Sequence, residues 1–215
     1  MTLTIRAAET ADVETAVQLI YSSGPNAFNY VFNTGGKGSA LDFLRMAYLD
    51  GAGEFGYRNH LVVVEDGKVV ASGGGWSGKN ALAFLVAGAR QIFSHYGLIC
   101  GVQVIIRGLR TEAVIPPPSS SQFYLGHLGV VPDLQGRGIG KVLIAHLLEQ
   151  GRAAGFKVAA LDVAVTNPRG QALYERLGFK VDRERASTLN NAHGFVANHR
   201  HMQMELVSAS DPDRD

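Results

Sequence analysis

Leu128-Gly-Val-Val-Pro-Asp-Leu-Gln135-Gly-Arg-Gly138-Ile-Gly140-Lys141 is the stretch on which the reading of this chain turns. A short apolar run reaches Val131, Pro132 turns the chain, and glycines stand at 136, 138 and 140. A helical pattern follows, with Ile139, Val142, Leu143, Leu147 and Leu148 toward a core. Glycines let a loop present its backbone N–H groups, and the helix behind it adds unbonded amides and the positive end of its dipole. Together these make a seat for a phosphate or a diphosphate.

Three glycine-rich phosphate loops compete for this pattern. A Walker A loop needs Gly-x-x-x-x-Gly-Lys and then Ser or Thr. Here Gln135 stands where the first glycine belongs, and Val142 where the hydroxyl should be, so that reading fails twice. A dinucleotide fingerprint, Gly-x-Gly-x-x-Gly, meets Lys141 when counted from Gly136 and Leu143 when counted from Gly138. The third pattern fits: Gln135-x-x-Gly138-x-Gly140 resembles the Gln/Arg-x-x-Gly-x-Gly/Ala signature of the GNAT superfamily, the acyl-CoA-dependent N-acyltransferases. Downstream, Asn167-Pro-Arg-Gly-Gln-Ala172-Leu173-Tyr174-Glu175-Arg176-Leu177-Gly178-Phe179 resembles that superfamily's second motif, Asn…Ala-x-x-Tyr-x-x-x-Gly-Phe. Two motifs in the right order are more specific than either alone, and the resemblance spans about Phe123 to Val181.

The resemblance implies a mixed α/β (α+β) fold: a central twisted mixed sheet flanked by helices and splayed between its fourth and fifth strands. Those strands would be the ones ending at Val131 and Val165, with an insertion ahead of the first of them. It implies acetyl transfer from acetyl-CoA, as acyl donor and co-substrate, directly to a primary amine on a small molecule or a protein, with no metal. Backbone amides of Gln135, Gly136, Arg137, Gly138, Ile139, Gly140 and Lys141 would hold the CoA diphosphate, with added charge from Arg137 and Lys141. The pantetheine arm would lie along the preceding strand at Leu128, Gly129 and Val130, where one N–H polarises the thioester carbonyl. Tyr174 would protonate the leaving thiolate, and Asn167 would bond the arm, cap a helix, or do both.

The general base stays open. Some relatives carry a glutamate at the place that Tyr124 occupies, and tyrosine is a poor base at neutral pH. His127 has suitable chemistry, yet strand alternation turns it away from 124, 128 and 130 unless a bulge intervenes. A water chain to His60 or Glu54 is a further route. The lack of an evident carboxylate base leaves a second function in view, a catalytically silent acyl-CoA-binding or sensing module.

Composition sets outer bounds. The 215 residues suffice for one domain, expected over 1–207 with the insertion at 79–121 inside it, and an acidic tail at 208–215 is expected to fray. Apolar residues make up 46% and charged residues 18%, and the net charge of +1 comes with no basic run of the kind that marks nucleic-acid binding. No apolar run reads as long enough to span a bilayer, and Arg6, Glu9, Asp12 and Glu14 interrupt any leader-like core. A cytoplasmic location is therefore expected. Cys100 is the only cysteine, which excludes an internal disulfide and is read as buried and inert. His193, His199 and His201 are too scattered for a zinc site, and the closely spaced pair reads as surface. Because dimers are frequent in the family, a homodimer is among the expected assemblies.

The remaining pattern is read element by element. Leu3–Arg6 alternates as a strand, and a helix carries Val13, Ala16, Val17 and Ile20 until Ser22-Ser-Gly-Pro25 stops it. Asn26–Gly38 reads as a loop, and Ser39 as the cap of a helix that ends at Gly51. His60–Glu65, Asp66-Gly67 and Lys68–Trp76 form a hairpin, with Gly73-Gly74-Gly75 marking a bulge or a close approach. Ala81–Tyr96 reads as an amphipathic helix, Val102–Arg107 as a strand or helix end, and Pro116–Ser121 as a stiff linker. Phe156–Val165 is a strand, Asn167-Pro168 starts a helix closed by Leu177-Gly178, Arg185–His199 is a polar loop, and Met202, Met204 and Leu206 alternate in a last strand. The aromatics Phe28, Tyr30, Phe32, Phe55 and Tyr57 would border an acceptor site or simply pack.

Overall fold

The computed structural model describes residues 3–36 and 38–206; the expected tail at 208–215 lies outside them. In chain order, β1 (Leu3–Ala7) leads to α1 (Val13–Ser22), α2 (Pro25–Phe32) and α3 (Ala40–Asp50). The hairpin β2 (His60–Glu65) and β3 (Lys68–Trp76) comes next, then α4 (Ala81–Glu112), β4 (Gln122–Val130), α5 (Ile139–Ala153) and β5 (Val158–Ala164). The chain closes with α6 (Pro168–Arg176), β6 (Lys180–Arg185), a small hairpin of β7 (Asn190–Asn191) and β8 (Gly194–Phe195), and β9 (His199–Glu205).

Seven strands form one mixed sheet in the order β1-β2-β3-β4-β5-β9-β6. Its neighbours are antiparallel except β4 and β5, which run parallel and pair only from Gln122–Tyr124 to Val158–Ala160. Past Tyr124 and Ala160 the two strands have no mutual pairing, so the sheet is split as the resemblance implies.

Alternation along the strands gives the sheet two apolar faces. On one, Leu143, Ile144, Leu147 and Leu148 of α5 bury against Val63, Leu125, Leu161, Val163 and Met202. Each such side chain contributes roughly 1.5–3 kcal/mol of transfer free energy. Val142, expected on the core side, is instead exposed, because a turn of 3.6 residues carries it past the buried stripe that Ile144 completes. On the other face, α1 and α3 pack around Ile20, Leu44, Tyr48 and Val62, and α2 and α4 around Phe32, Phe43, Tyr96 and Val104.

Several sequence expectations are corrected. Asn26–Gly38 is not one loop: Pro25 occupies the first turn of α2, where its missing N–H costs nothing, and the helix runs to Phe32. The insertion is one long helical element bent at Gly97 (φ 71°, ψ −177°), with Val102–Arg107 inside it and not in a strand. Gly78–Glu112 spans 35 residues, and its most apolar 18-residue window has a mean hydropathy of 1.4, so by length and composition it is long and apolar enough to cross a bilayer. The reading as two short elements missed this. Gly151 lies within α5, and Gly155 (φ 79°) follows its end. The polar loop contains the β7–β8 hairpin, and His201 is buried rather than on the surface.

Candidate active site

The split in the sheet is bordered by the two matched motifs. At the end of β4, Val131 N–H donates to Val70 O of β3 (2.9 Å), so the neighbouring N–H of Val130 points the other way, to the edge that β5 leaves open. Gly129 has no room for a side chain, since a Cβ there would lie 2.5 Å from the carbonyl oxygen of Leu19 in α1. The glycine loop then takes φ of +83° at Gly136 and +84° at Gly138, both in the left-handed region that glycine adopts at no steric cost. The first bond of α5 is Val142 N–H to Gly138 O (3.1 Å). Among the described residues, the N–H groups of Gly136, Gly138, Ile139, Gly140 and Lys141 donate to no backbone acceptor. Gln135 differs: its N–H donates to Pro132 O (3.2 Å) and its side-chain amide reaches Val130 O (3.3 Å), so it shapes the turn instead of offering an amide. Arg137 lies 4.0 Å from Glu65.

Two cavities meet at the split. One, of about 330 Å³, is bordered by Leu128, Gly129, Val130, Gln135, Thr166 and Asn167, and by the α1–α2 turn. The other, of about 460 Å³, lies between the sheet and α2 and α4, and its lining includes Tyr124, His127, Asp162 and Tyr174. Leu128, Asn167 and His199 border both. Asn167 caps α6, its Oδ1 accepting from Gly170 N–H (2.9 Å), which leaves its side-chain N–H₂ for other partners. Tyr174 is on α6, and burial pushes its phenol up to about 12. Among the described residues, none hydrogen-bonds its hydroxyl.

His127 sits in a bulge of β4. Gly74 pairs with Gly126 and Ser72 with Gly129, so two steps on β3 face three on β4, and His127 takes the strained φ of +55°. The bulge breaks the strand alternation and turns the imidazole into the larger cavity, beside Phe28, Phe55 and Trp76. Its Nδ1 lies 3.2 Å from His60 Nε2, and its Nε2 lies 3.3 Å from Glu54 Oε1. His60 Nδ1 faces Gly56 O at 3.0 Å and must donate there. His60 Nε2 is then an acceptor and takes the proton on His127 Nδ1. Burial, aided by His127, pushes His60 down to about 3, so it stays neutral. With Nδ1 donating, His127 Nε2 is the ring's proton-accepting nitrogen, and it lies beside the Glu54 carboxylate.

Tyr124 cannot supply a base. Its hydroxyl donates to Asp162 Oδ2 (3.1 Å), and burial and the Asp162 charge hold its pKa well above the usual phenol range. Asp162, on β5, also takes His201 Nδ1 on Oδ2 (3.1 Å), while its Oδ1 has no hydrogen-bond partner. Sequence reasoning missed Asp162, although a lone charge inside the apolar run Leu161-Asp162-Val163 was a visible signal. It missed Glu112 as well, which borders the larger cavity from the end of α4. Cys100 is half-buried on α4.

Comparison with known proteins matches the acetyltransferase (GNAT) family model to residues 40–179. The [ribosomal protein bS18]-alanine N-acetyltransferase of Salmonella typhimurium is 40% identical over 55 residues, 26% of this chain and 37% of that protein. The match thus spans little more than a third of that relative's length. The solved N-acetyltransferase from Staphylococcus aureus Mu50 superposes with a TM-score of 0.68 at 18% identity, over 94% of this chain and all (100%) of that one. A Salmonella typhimurium protein solved with its cofactor acetyl-CoA gives a TM-score of 0.53 at 17% identity, over 100% of both chains. At these identities the structural likeness is one of fold.

Proposed function

The chain belongs to the acetyltransferase (GNAT) family, and from that premise we propose that it transfers an acetyl group from acetyl-CoA to a primary amine at the split between β4 and β5. The observation that carries this reading is the set of amides at Gly136, Gly138, Ile139, Gly140 and Lys141 that, among the described residues, have no backbone acceptor, at the head of α5 and beside the open edge of β4. A diphosphate suits those donors and the helix dipole, and an extended pantetheine arm suits the unpaired N–H of Val130. Leu128, Gly129 and Asn167 border the same cavity.

The thioester supplies an activated carbonyl with a thiolate leaving group, and the chain's residues manage the protons. An amine arrives as an ammonium and must lose a proton before its lone pair can attack. His127 Nε2 is placed to take that proton, with Glu54 beside it; the Glu54 side chain is 44% exposed and connects the pair to water. As the C–N bond forms and the C–S bond breaks, the Tyr174 hydroxyl protonates the sulfur and is refilled by the second proton of the amine. The net release is one proton to solvent. Proton transfer by a placed side chain is worth about 10²–10⁴ in rate.

Calorimetry with CoA and a thiol-release assay with acetyl-CoA and an amine panel test the reading. We expect binding, and free thiol that depends on the amine. A chain that takes up neither acetyl-CoA nor CoA contradicts it. CoA binding with no turnover across the panel favours a silent binding module.

A further inference from the structure

Resting on the acyl-transfer reading, the larger cavity also says what kind of amine it takes. We propose that the acceptor is an organic cation with an apolar body, its ammonium held at Asp162.

Three carboxylates, Glu54, Glu112 and Asp162, border this cavity, and among its described lining residues none is Lys or Arg. Asp162 is the most deeply placed, with a side chain 2% exposed. One of its oxygens is satisfied by Tyr124 and His201, and the other has no donor. A buried carboxylate oxygen left without a donor is costly, and a ligand N–H would remove that cost. Its position is also suited to the chemistry. Asp162 lies on β5 just past the last β4–β5 pairing at Ala160, where the sheet opens. Residues 160 and 162 share a strand face, and Ala160 clusters there with Tyr124 and Trp76.

The rest of the cavity repels anions, and its walls are largely apolar. Burial and the charge of Glu54 raise the pKa of Glu112, a sign that negative charge there lacks compensation. Phe28, Phe55, Trp76, Phe84, Ile92 and Leu109 form apolar wall. Such a site pays the desolvation cost of an apolar ammonium but not that of a zwitterion, whose carboxylate would meet three like charges. Gln91 is already bonded to Asp50 and Ala52, and Thr111 to Arg107, so a polyhydroxylated amine would find few free partners for its hydroxyls.

The test compares 2-phenylethylamine, phenylalanine and glucosamine as acceptors for the full chain, by thiol release from acetyl-CoA. The expected kcat/KM for 2-phenylethylamine exceeds the other two by at least about tenfold. Asp162→Asn should raise the KM for this amine at least about tenfold and leave CoA affinity, measured by calorimetry, unchanged. Equal use of phenylalanine or glucosamine, or an unchanged KM in Asp162→Asn, overturns the proposal. Should that variant not fold, the wild-type chain decides: 2-phenylethylamine should bind it well above the neutral 2-phenylethanol, and equal binding overturns the proposal. This comparison needs no CoA, so its outcome is distinct from a failure of the acyl-transfer reading.

Discussion

Tyr174 and His127 are asked to do opposite things with protons, and their surroundings differ accordingly. Tyr174 is buried, its phenol is raised to about 12, and it therefore holds its proton until a stronger base, the thiolate, forms beside it. Tyr174→Phe keeps the ring and removes the donor. We expect kcat to fall roughly 10²-fold with CoA affinity unchanged, measured by steady-state kinetics and calorimetry. Unchanged turnover would remove Tyr174 from the chemistry. His127 is held between His60 and Glu54 at a left-handed φ of +55°. Asparagine tolerates that conformation, so His127→Asn tests the imidazole with least damage to the bulge. Turnover should drop roughly 10- to 100-fold while the melting temperature stays close to that of the wild type; a fully active variant would assign proton removal elsewhere.

At the scale of elements, α5 joins stability to binding. Its inner stripe anchors the sheet through Leu143, Ile144, Leu147 and Leu148, and its first turn presents the loop amides. Gly138 ends that loop at φ +84° with nothing within 4 Å of a Cβ, so Gly138→Ala adds strain without a clash. The strain of a non-glycine left-handed residue, less the entropy that alanine removes from the unfolded chain, leaves a net loss of about 1 kcal/mol. The variant should fold and bind CoA more weakly, by calorimetry; wild-type affinity would argue that the diphosphate sits elsewhere. The helix α4 has a different character. It walls the larger cavity with Phe84 and Ile92, yet Leu98 and Ile99, just past its bend, are 77% and 81% exposed.

Across the whole molecule, buried imidazoles tie stability to pH. His60 is near 3 in the folded chain and about 6.5 when unfolded, and burial lowers His199 in the same direction. Above pH 6.5 both states are neutral and nothing is lost. Below it the unfolded chain takes up protons that the folded chain refuses, so stability falls as the pH drops. The slope is roughly 1.4 kcal/mol per pH unit for one such histidine. Urea midpoints should therefore decline from pH 6.5 to pH 5, while Asp12, whose carboxylate is held low by Arg6, is still ionised. Constant midpoints over that interval would show that these rings are not kept neutral.

Read alone, the sequence determined the parts whose physics is local. The glycine loop, the Asn167-Pro168 helix start, the Ser39 cap and the Asp66-Gly67 turn each follow from a few adjacent residues, and two motifs in order sufficed to expect a split mixed sheet. Its weakest readings were at Asn26–Gly38 and in the insertion, where tertiary packing of α2 and α4 overrides weak local signals. Only the tertiary structure decided what surrounds the split. The bulge that turns His127 toward Glu54, and the register that sets Asp162 beside Tyr124 and His201, join residues far apart in the chain. Such meetings depend on strand pairing and burial, which no local pattern of residues encodes.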